Sequence, residues 1–172
     1  QIKFYQKNKM KKRLALFILI IFPFLIHSQG QIKNKIDWIS LEKAEKYSKK
    51  YKTKILIYFY KPGCEFCDKM SKETLKSAEV IKLINNNFLP VKINGYTKDT
   101  IVFNGKIYGN QQSVSSGRKD WRHDFYFEYG NHNNSMIPPT IVIIDGSLKK
   151  IKQLTGYKPK AQFLREIKKF LK

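Results

Sequence analysis

Ile55-Leu56-Ile57-Tyr58-Phe59-Tyr60-Lys61-Pro62-Gly63-Cys64-Glu65-Phe66-Cys67-Asp68-Lys69-Met70 is the stretch that decides the fold. Residues 55–60 are apolar, aromatic-rich and of strand length, which predicts a buried strand over 54–60. Pro62-Gly63 ends the strand and allows a tight turn. A helix-like stretch follows, with Cys64 at its start and Cys67 one turn along the same face. These are the only two cysteines among 172 residues. One Cys-x-x-Cys with no other sulfur partner cannot be a disulfide scaffold. It is a redox site, half of a metal site or a chance pair, and the order strand, turn, Cys-x-x-Cys, helix favours the first.

The chemistry follows from the thiolate, the attacking species in thiol–disulfide exchange. Unpaired N–H groups and the positive dipole end at a helix N-terminus favour a negative sulfur there. Cys64 is therefore the expected nucleophile, and Cys67 the residue that resolves the mixed disulfide. As a structural staple the pair is weak, because so small a loop removes little unfolded-state entropy. As a zinc site it is incomplete, since only His123 and His132 follow residue 28. Copper(I), which accepts few soft ligands, leaves a metal-handling module as an alternative. A non-catalytic binding domain is a third reading. No cofactor is implied.

Outward from this motif, the first residues read as a leader. Lys9, Lys11, Lys12 and Arg13 precede the unbroken apolar run 14–26, followed by His27, Ser28 and Gln29. A basic flank, a short apolar core and a small residue describe a secretory signal peptide. The run is shorter than the roughly 20 residues that span a bilayer, and an uncleaved anchor is the alternative. Met10 stands just before the basic flank, so residues 1–9 read as an upstream extension. Residues 1–28 are thus expected to be extension plus signal peptide, and 29–172 one domain. The leader implies export across an inner membrane into a disulfide-permissive compartment, with membrane contact only through an uncleaved leader. Formal net charge is +21. Residues 29–172 hold +15 of it, with 28 basic against 13 acidic residues. The lysines are dispersed and arginine is scarce, which argues against a nucleic-acid partner.

Ser40 is expected to cap a helix through Leu41, Ala44, Ser48 and Tyr51, with Trp38 packing back onto it. The reading continues with helix from Cys64 to about Leu75, and helix again from Ser77, ended by Asn85-Asn86-Asn87. Phe88–Ile93 reads as strand. Residues 94–137 stand apart. They hold a small hairpin turning at Asn104-Gly105, a polar loop over 111–117, and an aromatic-rich stretch over 119–129 that reads as helix, with strand as the alternative. Thr140–Ile144 is a buried strand, Asp145-Gly146 turns it into Leu148–Leu154, and Pro159 opens a last helix. The order gives three predominantly buried strands, one edge strand and helices for both faces.

A second motif, Met136-Ile137-Pro138-Pro139-Thr140, lies directly before the strand at 140. Together with the cysteines it completes a resemblance. From about residue 36 to its end the chain resembles the thioredoxin-fold superfamily, and more narrowly a group of secreted bacterial thioredoxin-like proteins. The match runs through Trp38, Ala44, Cys64, Cys67, Met70, Glu73-Thr74, Val80 and Asn87-Phe88-Leu89-Pro90-Val91-Lys92. It implies an α/β fold with a central mixed sheet flanked by helices and an insertion, 94–137, before the cis-proline strand. It also implies that Pro139 is cis, that its loop lies against the two sulfurs, and that Ile137, Pro138 and Pro139 line the contact with an extended substrate. Protein disulfides or thiols would be substrates, and a redox partner would recycle Cys64 and Cys67. Three departures stand out. Thioredoxins carry Trp-Cys-Gly-Pro-Cys where this chain has Gly63-Cys64-Glu65-Phe66-Cys67. They carry a buried aspartate, a proton acceptor, where this chain has Tyr58. The insertion is far longer than the compact fold needs. Glu65 disfavours a thiolate beside it, by up to ~1 kcal/mol at about 4 Å when exposed. Lys61 opposes it. The expected direction is reduction or isomerisation.

Overall fold

The computed structural model describes residues 34–117 and 120–171. The expected leader lies outside the described residues. Helix α1 (Leu41–Tyr51) starts at Ser40, whose hydroxyl accepts the Lys43 N–H at 3.2 Å. Strand β1 (Ile55–Tyr60) leads through the 61–64 turn into the short helix α2 (Glu65–Lys69). The helix predicted to run to Leu75 instead widens to a π-turn over Met70–Thr74, where the Leu75 N–H reaches back to Met70 O at 2.9 Å. Helix α3 (Ala78–Asn87) and strand β2 (Leu89–Asn94) follow. The three asparagines end the helix from inside it. Asn85 is held by the 35–37 segment, and the Asn87 side chain donates to Leu83 O.

Residues 94–137 form a hairpin, β3 (Ile101–Phe103) and β4 (Lys106–Tyr108), a 3-10 turn over Val114–Ser116 and helix α4 (Asp124–Gly130). Strands β5 (Thr140–Ile144) and β6 (Lys150–Thr155), then helix α5 (Lys160–Ile167), complete the chain. The main sheet has the order β2-β1-β5-β6, with β1 and β2 parallel and the other neighbours antiparallel. This is the mixed, helix-flanked sheet expected. It has two edges rather than one, because β2 closes its outer side with little more than an Ile39 N–H to Pro90 O bond at 2.9 Å. Pro90 has no N–H to leave unpaired at that edge.

The period-2 alternation of β1 divides the core. Leu56 and Tyr58 face Met70, Val80, Ile81, Ile84, Phe163, Leu164 and Ile167 from the π-turn, α3 and α5. Ile55, Ile57 and Phe59 face Ala44 of α1 and a group of aromatic residues from 94–137. Trp38 lies on the first side, stacked 6.0 Å from the Tyr58 ring, not on α1 as expected. Ile39 and Leu41 pack on the α1 side instead. Among the described residues no helix is long and apolar enough to cross a membrane.

Candidate active site

The two cysteines sit where β1 hands over to α2. Gly63 adopts φ 71°, and Cys64 follows in extended conformation as the N-cap of α2. Its carbonyl accepts from the N–H groups of Cys67 and Asp68, each at 3.0 Å, and its sulfur accepts the Cys67 N–H at 3.2 Å. The two sulfurs are joined as a disulfide, with Cα atoms 5.2 Å apart. Their exposure differs. Cys64 is half-buried, whereas Cys67 is 3% exposed beneath it.

The loop before β5 closes the site from the other side. The Pro138–Pro139 peptide bond is cis, and Pro138 O lies 3.8 Å from Cys64 Sγ. Pro139 is buried, Pro138 half-buried and Ile137 exposed. Three bonds fix the loop. Pro139 O accepts the Gly156 N–H at 2.7 Å, Thr140 Oγ1 donates to Ile137 O at 2.8 Å, and the Tyr126 hydroxyl meets Thr140 Oγ1 at 3.3 Å. With the Thr140 proton given to Ile137, Tyr126 is left to donate. Burial pushes the Tyr126 phenol well above its ordinary pKa, so it stays a donor.

Tyr126 is the residue the sequence did not announce. It comes from α4, inside the insertion, and its ring is clamped in a slot between two glycines. A Cβ at Gly95 would fall 2.2 Å from Tyr126 Cδ1, and one at Gly130 would fall 2.6 Å from Cε2. Two isolated glycines 35 positions apart carry no local signal of this contact.

Tyr58 lies under the cysteines, 1% exposed. Its hydroxyl donates to Cys67 O at 3.1 Å and lies 3.5 Å from Ser71 Oγ in the π-turn. Burial raises its pKa, partly offset by Ser71, so this phenol is no proton acceptor at neutral pH. Glu65 and Asp68 are exposed on the helix side.

The histidines lie outside this group. His123 is buried and caps α4. Nδ1 accepts the Phe125 N–H at 3.1 Å, which leaves Nε2 to donate to Asp99 O at 3.0 Å. Burial lowers its pKa. His132 is exposed in a bridge with Ser135. Among the described residues, no three His, Cys, Asp or Glu side chains gather as a metal site.

Comparison with known proteins agrees with this geometry. Three solved structures share the fold. A DsbH oxidoreductase is 19% identical with TM-score 0.57, covering 85% of this chain and 92% of its own. A thioredoxin from Thermus thermophilus is 17% identical with TM-score 0.56, covering 79% and 87%. A thioredoxin-fold protein from Helicobacter pylori is 18% identical with TM-score 0.53, covering 83% and 80%. No curated protein matches the sequence significantly. The family model described as a thioredoxin-like domain matches residues 41–171, from the first residue of α1 to the end of the described chain, so the chain belongs to the thioredoxin-like domain family.

Proposed function

We propose that the protein is a thiol–disulfide oxidoreductase that reduces or isomerises disulfides of other proteins through Cys64 and Cys67. The observation that carries the reading is the asymmetry of the pair. Cys64 is half-buried, its Sγ held by the Cys67 N–H and faced by the Pro138 carbonyl, while Cys67 is buried.

In the reduced protein the Cys64 thiolate attacks one sulfur of a substrate disulfide. A bond forms between Cys64 and that sulfur, the substrate bond breaks, and the other substrate sulfur leaves as a thiolate that takes up a proton. Cys67, deprotonated, then attacks Cys64 Sγ and expels the first substrate sulfur. The protein ends as the disulfide and the substrate as a dithiol, two electrons having passed to the substrate. A dithiol partner returns them. The Cys67 N–H that reaches Cys64 Sγ supports the thiolate in the first step. Tyr58 supplies no carboxylate for the second, so the Cys67 proton passes to water or to the leaving thiolate.

Ile137, Pro138 and Pro139 would line the substrate, with the exposed Ile137 giving apolar contact. The leader reading places the domain, residues 29–172, outside the inner membrane, in a bacterial periplasm. Purified protein with a dithiol donor should reduce insulin disulfides, and Cys64→Ser should bring the rate to background. Undiminished turnover in that variant contradicts the assignment. Equilibration with glutathione tests direction, since a potential near that of the strong oxidants excludes a reductase.

A further inference from the structure

We propose that the 94–137 segment gives the dithiol site a cationic flank backed by aromatic rings, which selects protein disulfides bordered by carboxylates. The proposal rests on the oxidoreductase reading and adds the class of substrate. Lys61 is bound to the site through its carbonyl, which accepts the Cys64 N–H at 3.3 Å. Its Nζ lies 4.9 Å over the Tyr96 ring. Tyr96 meets Tyr126 edge-on at 6.1 Å, and Tyr126 is bonded to Thr140 beside Pro139. Next along this strip, Arg122 lies 4.1 Å from the ring centroid of Phe127 and 4.7 Å from that of Trp121. The His123 N–H donates to Gly95 O at 2.8 Å, which sets Arg122 and Tyr96 on neighbouring stretches of chain.

Lys49, Lys106 and Lys168 each pair with a glutamate, whereas among the described residues no carboxylate lies within ion-pair distance of Lys61 or Arg122. Rings against the guanidinium hold it in place, and stacking leaves its N–H donors at the edge without an anionic partner. A planar fork of this kind fits a carboxylate. Trp121, at 37% exposed, adds accessible apolar surface beside the charge, and Phe66, at 56%, does so in the cysteine turn. Glu65 and Asp68 lie on the helix side and repel acids there, whereas Asp120 and Asp124, two residues either side of Arg122, accept from Gln112 at 2.7 Å and Gln111 at 3.2 Å. The preference is therefore directional, with acidic residues accepted on the side of the insertion.

The test uses the reduced full chain and two peptides, each with one intramolecular disulfide and the same core, flanked by aspartates in one and lysines in the other, with a glutamine-flanked control. The aspartate peptide should be reduced about tenfold faster than the lysine peptide at low salt. The two rates should converge at about 0.5 M salt, where screening acts within a few ångströms. Arg122→Gln should remove most of the preference, read as the ratio of the aspartate-flanked to the lysine-flanked rate. Equal rates, or a preference that neither salt nor Arg122→Gln alters, overturn the proposal. The same peptides with alkylated cysteines, followed by fluorescence anisotropy, read the flank without thiol chemistry. If no peptide is reduced, the oxidoreductase reading fails, and binding still decides the flank. Tighter binding of the aspartate peptide that is lost in Arg122→Gln supports it, and equal binding overturns it.

Discussion

On one face of the sheet, Leu56, Ile141 and Ile143 meet mainly aliphatic side chains of α3 and α5, with Phe163 among them; on the other, Ile55, Ile57 and Phe59 meet a cluster of rings. The first face carries the π-turn that continues from the cysteine helix. The second is built largely from the insertion, with Phe125 at its centre. That ring has Phe59, Phe103, Tyr108 and Tyr129 within 4.8–5.8 Å, centroid to centroid. Aliphatic burial is non-directional and tolerates exchange of shape. Ring pairs prefer offset or edge-on geometry, each about 0.5–1.5 kcal/mol beyond the area buried. The aromatic face therefore does more than fill space. Through Tyr126 it fixes the loop that faces Cys64, so the insertion belongs to the structure of the site.

The largest test of this contrast is Phe125→Ala, expected to cost about 3–5 kcal/mol, against about 0.5–1.5 kcal/mol for Ile143→Val on the aliphatic face. Urea unfolding of both variants measures it. Similar small losses would mean that the insertion is loosely attached. Gly95→Ala and Gly130→Ala should each cost about 1–3 kcal/mol by forcing the Tyr126 ring aside. They should also slow disulfide exchange, because Thr140 loses its Tyr126 partner. A stability loss with exchange unchanged would separate the aromatic face from the site.

A third test is pH. The folded pKa of His123 lies below the unfolded value, so the unfolded state binds the proton more readily. Stability should be level above about pH 6.5 and fall as pH drops below it. Protonated Nδ1 can no longer accept the Phe125 N–H, and loss of such a cap is about 1 kcal/mol. Urea midpoints across pH 5–8 should show the slope in the wild type and a weaker one in His123→Asn. The smallest effect belongs to the cysteine side. Tyr58→Phe should cost about 0.5–1 kcal/mol, because Cys67 O keeps the Met70 N–H as a partner. Exchange should keep its pH profile, since this phenol does not ionise in the working range.

The aliphatic face and the cysteine turn were legible in the sequence because their signals are local. Ser40 caps, the 55–60 run is apolar or aromatic throughout, Pro62-Gly63 turns, and Pro159 opens a helix. The aromatic face was legible only as composition. The stretch 119–129 suggested a helix that packs on the sheet, but α4 begins at Asp124, behind an imidazole cap instead of a serine or aspartate. The π-turn is held at its end by Thr74, whose hydroxyl donates to the distant Lys158 O, and just before it by Tyr58, which donates to Cys67 O. Strand β6 begins at Lys150 and not at Leu148, because Leu148 takes φ 62° in a turn organised by the Asp145 carboxylate, which accepts the Ser147 and Lys149 N–H groups. The π-turn thus leans on Lys158, which no local window contains, whereas the starts of α4 and β6 depend on neighbours, His123 and Asp145, whose capping roles the residue pattern did not single out.

The central claim is that Cys64 is the attacking sulfur and Cys67 the resolving one. Trapping the intermediate tests it most directly. Reduced Cys67→Ser protein mixed with a disulfide peptide should accumulate a one-to-one adduct on Cys64 by intact-mass and peptide mapping, released by dithiothreitol. Reduced Cys64→Ser protein should accumulate little, because Cys67 is buried. An adduct forming as fast on Cys67 in Cys64→Ser, or none on Cys64 in Cys67→Ser, would contradict the account.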